Sequence, residues 1–88
     1  MKFRWNDWNR EHATKHGCRV QEIESVVESA EPPYPQRRED DRWLVMGRGA
    51  GGRFIQVIYV YSPPKVVYVI HARPLTETEK RRYRRRRK

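Results

Sequence analysis

The chain has 88 residues, of which 36% are hydrophobic, 35% charged and 11% aromatic, and its formal net charge is +9. This length predicts one small domain, residues 1–88, and the aromatic and β-branched content argues against intrinsic disorder. The single Cys18 excludes an internal disulfide and favours a reducing cytoplasm. No apolar run approaches the ~20 residues of a spanning helix, and no signal-like segment opens the chain, so we expect neither a membrane span nor export.

The positive charge is concentrated at one end of the chain. Residues 75–88 carry eight Lys or Arg against two Glu, whereas residues 1–74 carry twelve against nine. A nearly balanced body with a strongly basic end is typical of a polyanion binder. The alternative is a solubilising terminus that frays.

The first sixteen residues predict a strand followed by a helix. Met1–Trp5 alternates between basic and aromatic residues, which indicates a short strand with one buried face. Asn6 or Asp7 then supplies an N-cap for a helix over about residues 7–16, and Gly17 is placed to end that helix.

The second helix is marked by one apolar stripe. Pro32 and Pro33 stop it, and residues 31–41 form a polar connection. The residues of the stripe are Val20, Ile23, Val26, Val27 and Ala30.

Three strands follow, and short turns join them. They cover Arg42–Arg48, Arg53–Tyr61 and Lys65–His71, with turns at Gly49–Gly52 and Ser62–Pro64. Connections this short predict an antiparallel meander.

A third helix starts at a capping box, because Thr76 is followed three residues later by Glu79. Beyond Tyr83 the chain is a basic tail, residues 84–88. The sequence therefore predicts an α+β fold of order β-α-α-β-β-β-α, in which a three-to-four-stranded antiparallel sheet packs against two helices and a basic helix ends the chain. We assign the three tryptophans to the core: Trp5, Trp8 and Trp43.

Four segments, taken in order, resemble the BrnT-type toxins of bacterial type II toxin–antitoxin systems. They are Phe3–Asp7 with Asn9, Lys15–Gly17, Arg42–Gly47, and the closing run His71-Ala72-Arg73-Pro74-Leu75-Thr76-x-x-Glu79-x-x-x-Tyr83. The resemblance implies a compact RelE-like α+β fold and cleavage of RNA that inhibits translation. It also implies a cognate antitoxin whose DNA-binding domain carries the pair to operator DNA.

RNA cleavage by internal transfer requires a base, an acid and a stabiliser for the phosphorane. Arg73 lies where the last strand meets a helix start, and its guanidinium suits the phosphorane oxygens. The alternative is that Arg73 pairs with a glutamate of the second helix. His71, two residues earlier, is a candidate acid or base, although a histidine at a strand end is also often structural.

Two further residues are catalytic candidates. His16, beside Lys15, either takes part in chemistry or offsets the dipole at the end of the first helix. Tyr83 either donates a proton or stacks on a base, or it anchors the last helix to the sheet.

Seven cations are predicted to contact nucleic acid, and the basic tail should add salt-sensitive attraction to phosphate. The seven cations are Lys15, Arg53, Lys65, Arg81, Arg82, Arg84 and Arg85. Tyr59 and Tyr61 could add an aromatic surface beside them.

The sequence shows no metal-ligand spacing and no phosphate-binding loop, so we expect neither a metal nor a cofactor. Three alternatives to a ribonuclease toxin remain: a non-catalytic nucleic-acid-binding module, an inactive toxin relic, and a protein that simply pairs with a partner.

Overall fold

The computed structural model describes residues 1–86, with Arg86 described for its backbone alone. Arg87 and Lys88 of the predicted basic tail lie outside the described residues. The elements in chain order are α1 (Asp7–Thr14), α2 (Val20–Glu28), β1 (Gln36–Arg37), a 3-10 turn (Glu39–Asp41), β2 (Trp43–Arg48), β3 (Phe54–Ser62), β4 (Val66–Pro74) and α3 (Glu77–Arg86).

The four strands form one antiparallel sheet in the order β1-β2-β3-β4. Trp43 lies opposite Tyr59 in the first long pairing, and Val57 lies opposite Ala72 in the second. The pairing of β3 with β4 changes register between Ile58 and Tyr59. The predicted α+β class and the antiparallel meander are confirmed.

The edge strand β1 lies within the segment that the sequence predicted to be a plain connection. Gln36 pairs with Leu44 and Arg37 with Trp43. A two-residue strand is too short to show periodicity, which is why the sequence pattern does not reveal it. The chain then turns through Asp40, whose φ of 58° is a left-handed conformation that aspartate tolerates better than most residues.

The predicted N-terminal strand is wrong. Phe3 instead makes an isolated parallel bridge with Val67, in which Arg4 N donates to Val67 O at 2.9 Å and Val67 N donates to Lys2 O at 2.8 Å. The pairing stops there because Asn6 caps α1 only three residues after Phe3.

Two helices pack against the sheet, α1 against β4 and α2 against β2 and β3. Alternate residues of the strands point into this core, as do Ile23 and Val26 of α2. The buried strand residues are Val45, Ile55, Val57, Tyr59, Val67, Val69 and Ala72. In the described part of the chain, no helix combines the length and the apolar character needed to cross a bilayer.

The assignment of Trp8 to the core is wrong, because its side chain is 52% exposed. The inward face of α1 is formed by Asn9 and Ala13, four residues apart, and a rotation of about 100° per residue turns Trp8 away from it. Trp5 and Trp43 are partly buried and pack against the core.

Candidate functional site

The structure brings together two histidines that the sequence singled out separately. His16 follows α1 and His71 lies in β4, and their ring centroids are 5.5 Å apart at an interplanar angle of 65°. His16 is exposed and His71 is partly buried. Imidazoles titrate near neutral pH, so two of them at this separation have the chemistry that proton transfer requires.

The surroundings of His71 favour its neutral form. Burial of the imidazole lowers its pKa, and the nearby positive charges of His16, Arg73 and Lys15 lower it further. A neutral imidazole near pH 7 has a free nitrogen lone pair, which is what a general base requires. Four predicted site residues thus lie in one neighbourhood.

Arg73 lies at the junction of β4 and α3, as predicted, but its guanidinium is occupied. Nη1 donates to Glu79 Oε1 at 2.7 Å, and Nη2 donates to Glu79 Oε2 at 2.7 Å. Further bonds join it to the carbonyl of Pro74 at 3.1 Å and the side chain of Gln56 at 3.3 Å. The ion pair lowers the pKa of Glu79 to about 2, helped by the amide of Thr76. The alternative partner named for Arg73 from the sequence was a glutamate of the second helix, whereas the observed partner lies in α3.

Glu79 serves two structural purposes at once. Its Oε1 accepts from Thr76 N at 2.9 Å, and Thr76 Oγ1 accepts from Glu79 N at 3.2 Å. The predicted capping box is therefore confirmed, and the same carboxylate holds Arg73 against the start of α3. The spacing of six residues between Arg73 and Glu79 is a signal that the sequence interpretation did not use.

Tyr83, the remaining catalytic candidate, lies in the core. Its side chain is 6% exposed, and its ring contacts are with Tyr34, at 6.0 Å between centroids, and Phe54, at 5.6 Å. These contacts match the anchoring role that the sequence offered as the alternative to chemistry.

Arg53 is likewise engaged within the protein. Its Nε donates to Glu22 Oε2 at 3.0 Å, and its Nη2 donates to Glu22 Oε1 and to Gly17 O, both at 2.8 Å. Glu22 is only 4% exposed, and Arg53 lowers the pKa of its carboxyl. The pair ties the start of α2 to the β2–β3 turn, so phosphate would have to compete with a buried carboxylate for this guanidinium.

The remaining predicted contacts to nucleic acid have exposed side chains. Lys15 lies beside His16, and Lys65 lies in the β3–β4 turn. On α3, Arg84 lies over the ring of Phe54 at 5.5 Å from its centroid. The other exposed cations of α3 in this set are Arg81, Arg82 and Arg85.

An aromatic surface that the sequence interpretation missed is formed by residues of α1 and β4. Trp8 stacks on His12 with centroids 3.9 Å apart and an interplanar angle of 22°. Tyr68 of β4 lies nearly parallel to Trp8, at 6.4 Å and 11°. The aromatic surface suggested by the sequence is different, and Tyr59 within it is only 1% exposed. The spacing of four residues between Trp8 and His12, one helical turn, was the available signal.

Within residues 1–86, no three His, Cys, Asp or Glu side chains come together as ligands for a metal ion. Comparisons of the chain with family models, with curated proteins and with solved structures gave no match.

Proposed function

We propose that the chain is a BrnT-type toxin with a RelE-like fold, a metal-independent endoribonuclease that acts in the cytoplasm and inhibits translation. A cognate antitoxin would neutralise it and would bring the pair to operator DNA through its own DNA-binding domain. The observation that carries the proposal is the His16–His71 pair, with rings 5.5 Å apart and the cations Lys15 and Arg73 nearby. The net charge of +9 supports a polyanionic substrate.

The reaction needs two proton transfers and one phosphoryl transfer. His71, neutral because its pKa is lowered, accepts the proton of the ribose 2′-hydroxyl. The 2′-oxygen then forms a bond to phosphorus, and the bond from phosphorus to the 5′-oxygen breaks. His16 in its protonated form donates to that leaving oxygen. The products are a 2′,3′-cyclic phosphate and a 5′-hydroxyl end.

Charge stabilisation falls to the two cations of the site. Lys15 is exposed beside His16 and offers an ammonium to a non-bridging oxygen. Arg73 offers two parallel donors, but Glu79 accepts both of them in the free protein. Substrate phosphate therefore has to replace the carboxylate or share the guanidinium with it.

The test uses purified protein and a single-stranded RNA oligonucleotide in the presence of EDTA. We expect 2′,3′-cyclic phosphate products, and a substrate with one 2′-deoxyribose at the cleaved position should resist cleavage there. His71→Ala and His16→Ala should each reduce the rate by about 100-fold or more. Gln21→Ala, on the exposed side of α2, is the matched control and should cleave normally. Full activity in both histidine variants would refute the assignment of these residues.

The role as a toxin has its own test. Induced expression of the chain in a bacterial host should arrest growth, and co-expression of an adjacent gene for an acidic DNA-binding protein should restore it. If growth continues while the purified protein cleaves RNA, the chain is a ribonuclease without the proposed role as a toxin.

A second candidate is a non-catalytic nucleic-acid-binding module, or an inactive toxin relic. The two-pronged ion pair of Arg73 with Glu79 favours it, because this pair neutralises the guanidinium best placed for a phosphorane. RNA that is bound but remains intact over long incubation would support this candidate.

A further inference from the structure

Residues of α1 and β4 form an exposed aromatic surface. We call the group Trp8, His12 and Tyr68 the aromatic platform. Trp8 is 52% exposed, whereas Trp side chains are on average highly buried. Its ring is nearly parallel to both neighbours, at 22° to His12 and 11° to Tyr68.

Hydrogen bonds hold two of the three rings of the aromatic platform, those of His12 and Tyr68, in place. His12 Nδ1 donates to the carbonyl of Trp8 at 2.7 Å, which fixes the imidazole along the helix. Tyr68 Oη donates to Asn6 Oδ1 at 3.3 Å, and the same oxygen accepts from Asn9 N at 2.9 Å. The platform is thus fastened to the N-cap of α1, so little side-chain freedom is left to lose on binding.

The platform and the histidine pair lie on the same two parts of the chain, α1 with the residues that follow it and β4. Tyr68 and His71 lie on the same strand, and the register shift between them sets both opposite alternate residues of β3, Val60 and Ile58, so that they share one face of the sheet. His16 follows the helix that carries Trp8, and it contacts His71. A ligand whose phosphate reaches the histidines can therefore lay a neighbouring group on the aromatic rings.

We propose that the aromatic platform stacks an unpaired nucleobase next to the phosphate held at His16 and His71, so that the substrate is single-stranded RNA. Flat π-faces bind any base by stacking, and a base is free to leave its own stack only where the strand is unpaired. The excess of positive charge fits the phosphates on either side. The inference rests on the proposed function for the identity of the neighbouring phosphate.

The experiment measures binding separately from cleavage. Wild-type protein is titrated with a short single-stranded 2′-O-methyl RNA, which cannot undergo internal transfer, and with an abasic oligonucleotide of equal length and charge. Tryptophan fluorescence and affinity are recorded, and Trp8→Phe identifies the contribution of Trp8, since Trp5 and Trp43 are partly buried. Trp8→Ala and His12→Ala remove parts of the platform without opening the core.

We expect the base-bearing strand to quench Trp8 and to bind roughly 5- to 100-fold more tightly than the abasic strand, as one stacked base predicts. Trp8→Ala should lose this preference, whereas its affinity for the abasic strand should not change. Equal affinity and equal quenching for both strands would overturn the platform, even if cleavage is found. A base-dependent signal without any cleavage of ordinary RNA would support the platform and refute the ribonuclease proposal.

A duplex of the same 2′-O-methyl sequence separates stacking on unpaired bases from general attraction to RNA. It carries more negative charge but keeps its bases paired. We expect little quenching of Trp8 by the duplex. Quenching equal to that of the single strand would contradict the preference for unpaired RNA.

Discussion

Arg73 and Glu79 face one another across the junction of β4 and α3, with both guanidinium–carboxylate distances at 2.7 Å. The carboxylate also closes the capping box with Thr76, so it cannot move away without loosening the first turn of α3. The guanidinium that we propose to stabilise a phosphorane is therefore already paired with a carboxylate of the protein itself. Either the pair is purely structural, or phosphate displaces Glu79 when RNA binds.

The variant Glu79→Gln decides between these two roles. Glutamine can still accept from Thr76 N, but it removes the negative charge that competes with phosphate. If Arg73 acts on RNA, we expect affinity and cleavage rate to rise on the order of 10- to 100-fold, the value of one hydrogen bond to a charged group. Steady-state kinetics and a binding titration at fixed salt measure both effects.

The control for this variant is Arg73→Ala, alone and combined with Glu79→Gln. Removal of a donor to a developing oxyanion should lower kcat by about 100- to 1,000-fold. The double variant should have the same kcat as Arg73→Ala alone. If neither single change alters the kinetics, Arg73 has only a structural role.

The lowered pKa of His71 predicts the pH dependence of cleavage. Burial and the charges of His16, Arg73 and Lys15 disfavour the imidazolium, so the acidic limb of kcat/KM should have its midpoint below the usual histidine value of 6.5. Lys15→Gln removes one of these charges and should raise the midpoint by roughly a few tenths of a pH unit. A pH–rate profile and the NMR titration of His71 test this directly.

The same shift has a consequence for stability. The unfolded chain binds a proton at His71 near pH 6.5, whereas the folded chain binds it only at lower pH. Stability contributed by neutral His71 is therefore present above pH 6.5 and decreases as the pH falls below that value. For the pH–rate profile, an acidic limb of kcat/KM centred above pH 6.5 would contradict the assignment of His71 as the base.

Arg53→Ala tests whether this guanidinium supports the fold or binds RNA. The change leaves the Glu22 carboxylate, 4% exposed, without its two charged donors. We expect the free energy of unfolding to fall by about 1–3 kcal/mol, while RNA affinity stays within about twofold of wild type. Urea denaturation and a binding titration separate the two quantities.

Lys65→Ala is the matched control, because Lys65 is an exposed cation at the other end of the β3 strand. It should lower RNA affinity and leave stability unchanged. The effect of Arg53→Ala on stability should also shrink in acid: Arg53 lowers the pKa of Glu22 from 4.5, so the pair contributes above that pH and is lost as the pH falls through the lower folded value. If Arg53→Ala instead loses much of its RNA affinity and keeps normal stability, Arg53 binds RNA and does not support the fold.

The elements that the sequence predicted well are those that local patterns determine. The apolar stripe of α2 and the capping box at Thr76 depend on residues within a few positions of one another, and the structure contains both. Gly17, predicted to end the first helix, has a φ of +91°, which favours glycine. Regular alternation likewise identified β3 and β4.

What the sequence did not predict depends on contacts between distant segments. The side of α1 that faces β4 decides whether Trp8 is buried, and only the packed helix shows that Asn9 and Ala13 take that side. The meeting of His16 with His71 arises from the same packing. Each residue was a candidate by its chemistry, but residues 55 positions apart have no sequence signal that joins them.

The exposed cations of α3 provide the last prediction. Arg81, Arg82 and Arg85 are exposed, and α3 already contributes Tyr83 to the core, so their replacement by glutamine should leave the fold intact. Each cation that contacts phosphate releases about 0.7 counterion from a single strand, so the triple variant should reduce the slope of log affinity against log salt by up to about 2. Affinity should fall by a similar factor for all sequences, because these contacts read no base. Titrations between low and physiological salt measure the slope, and Gln21→Ala is again the control. An unchanged slope would show that RNA lies away from α3, on the surface formed by α1 and β4.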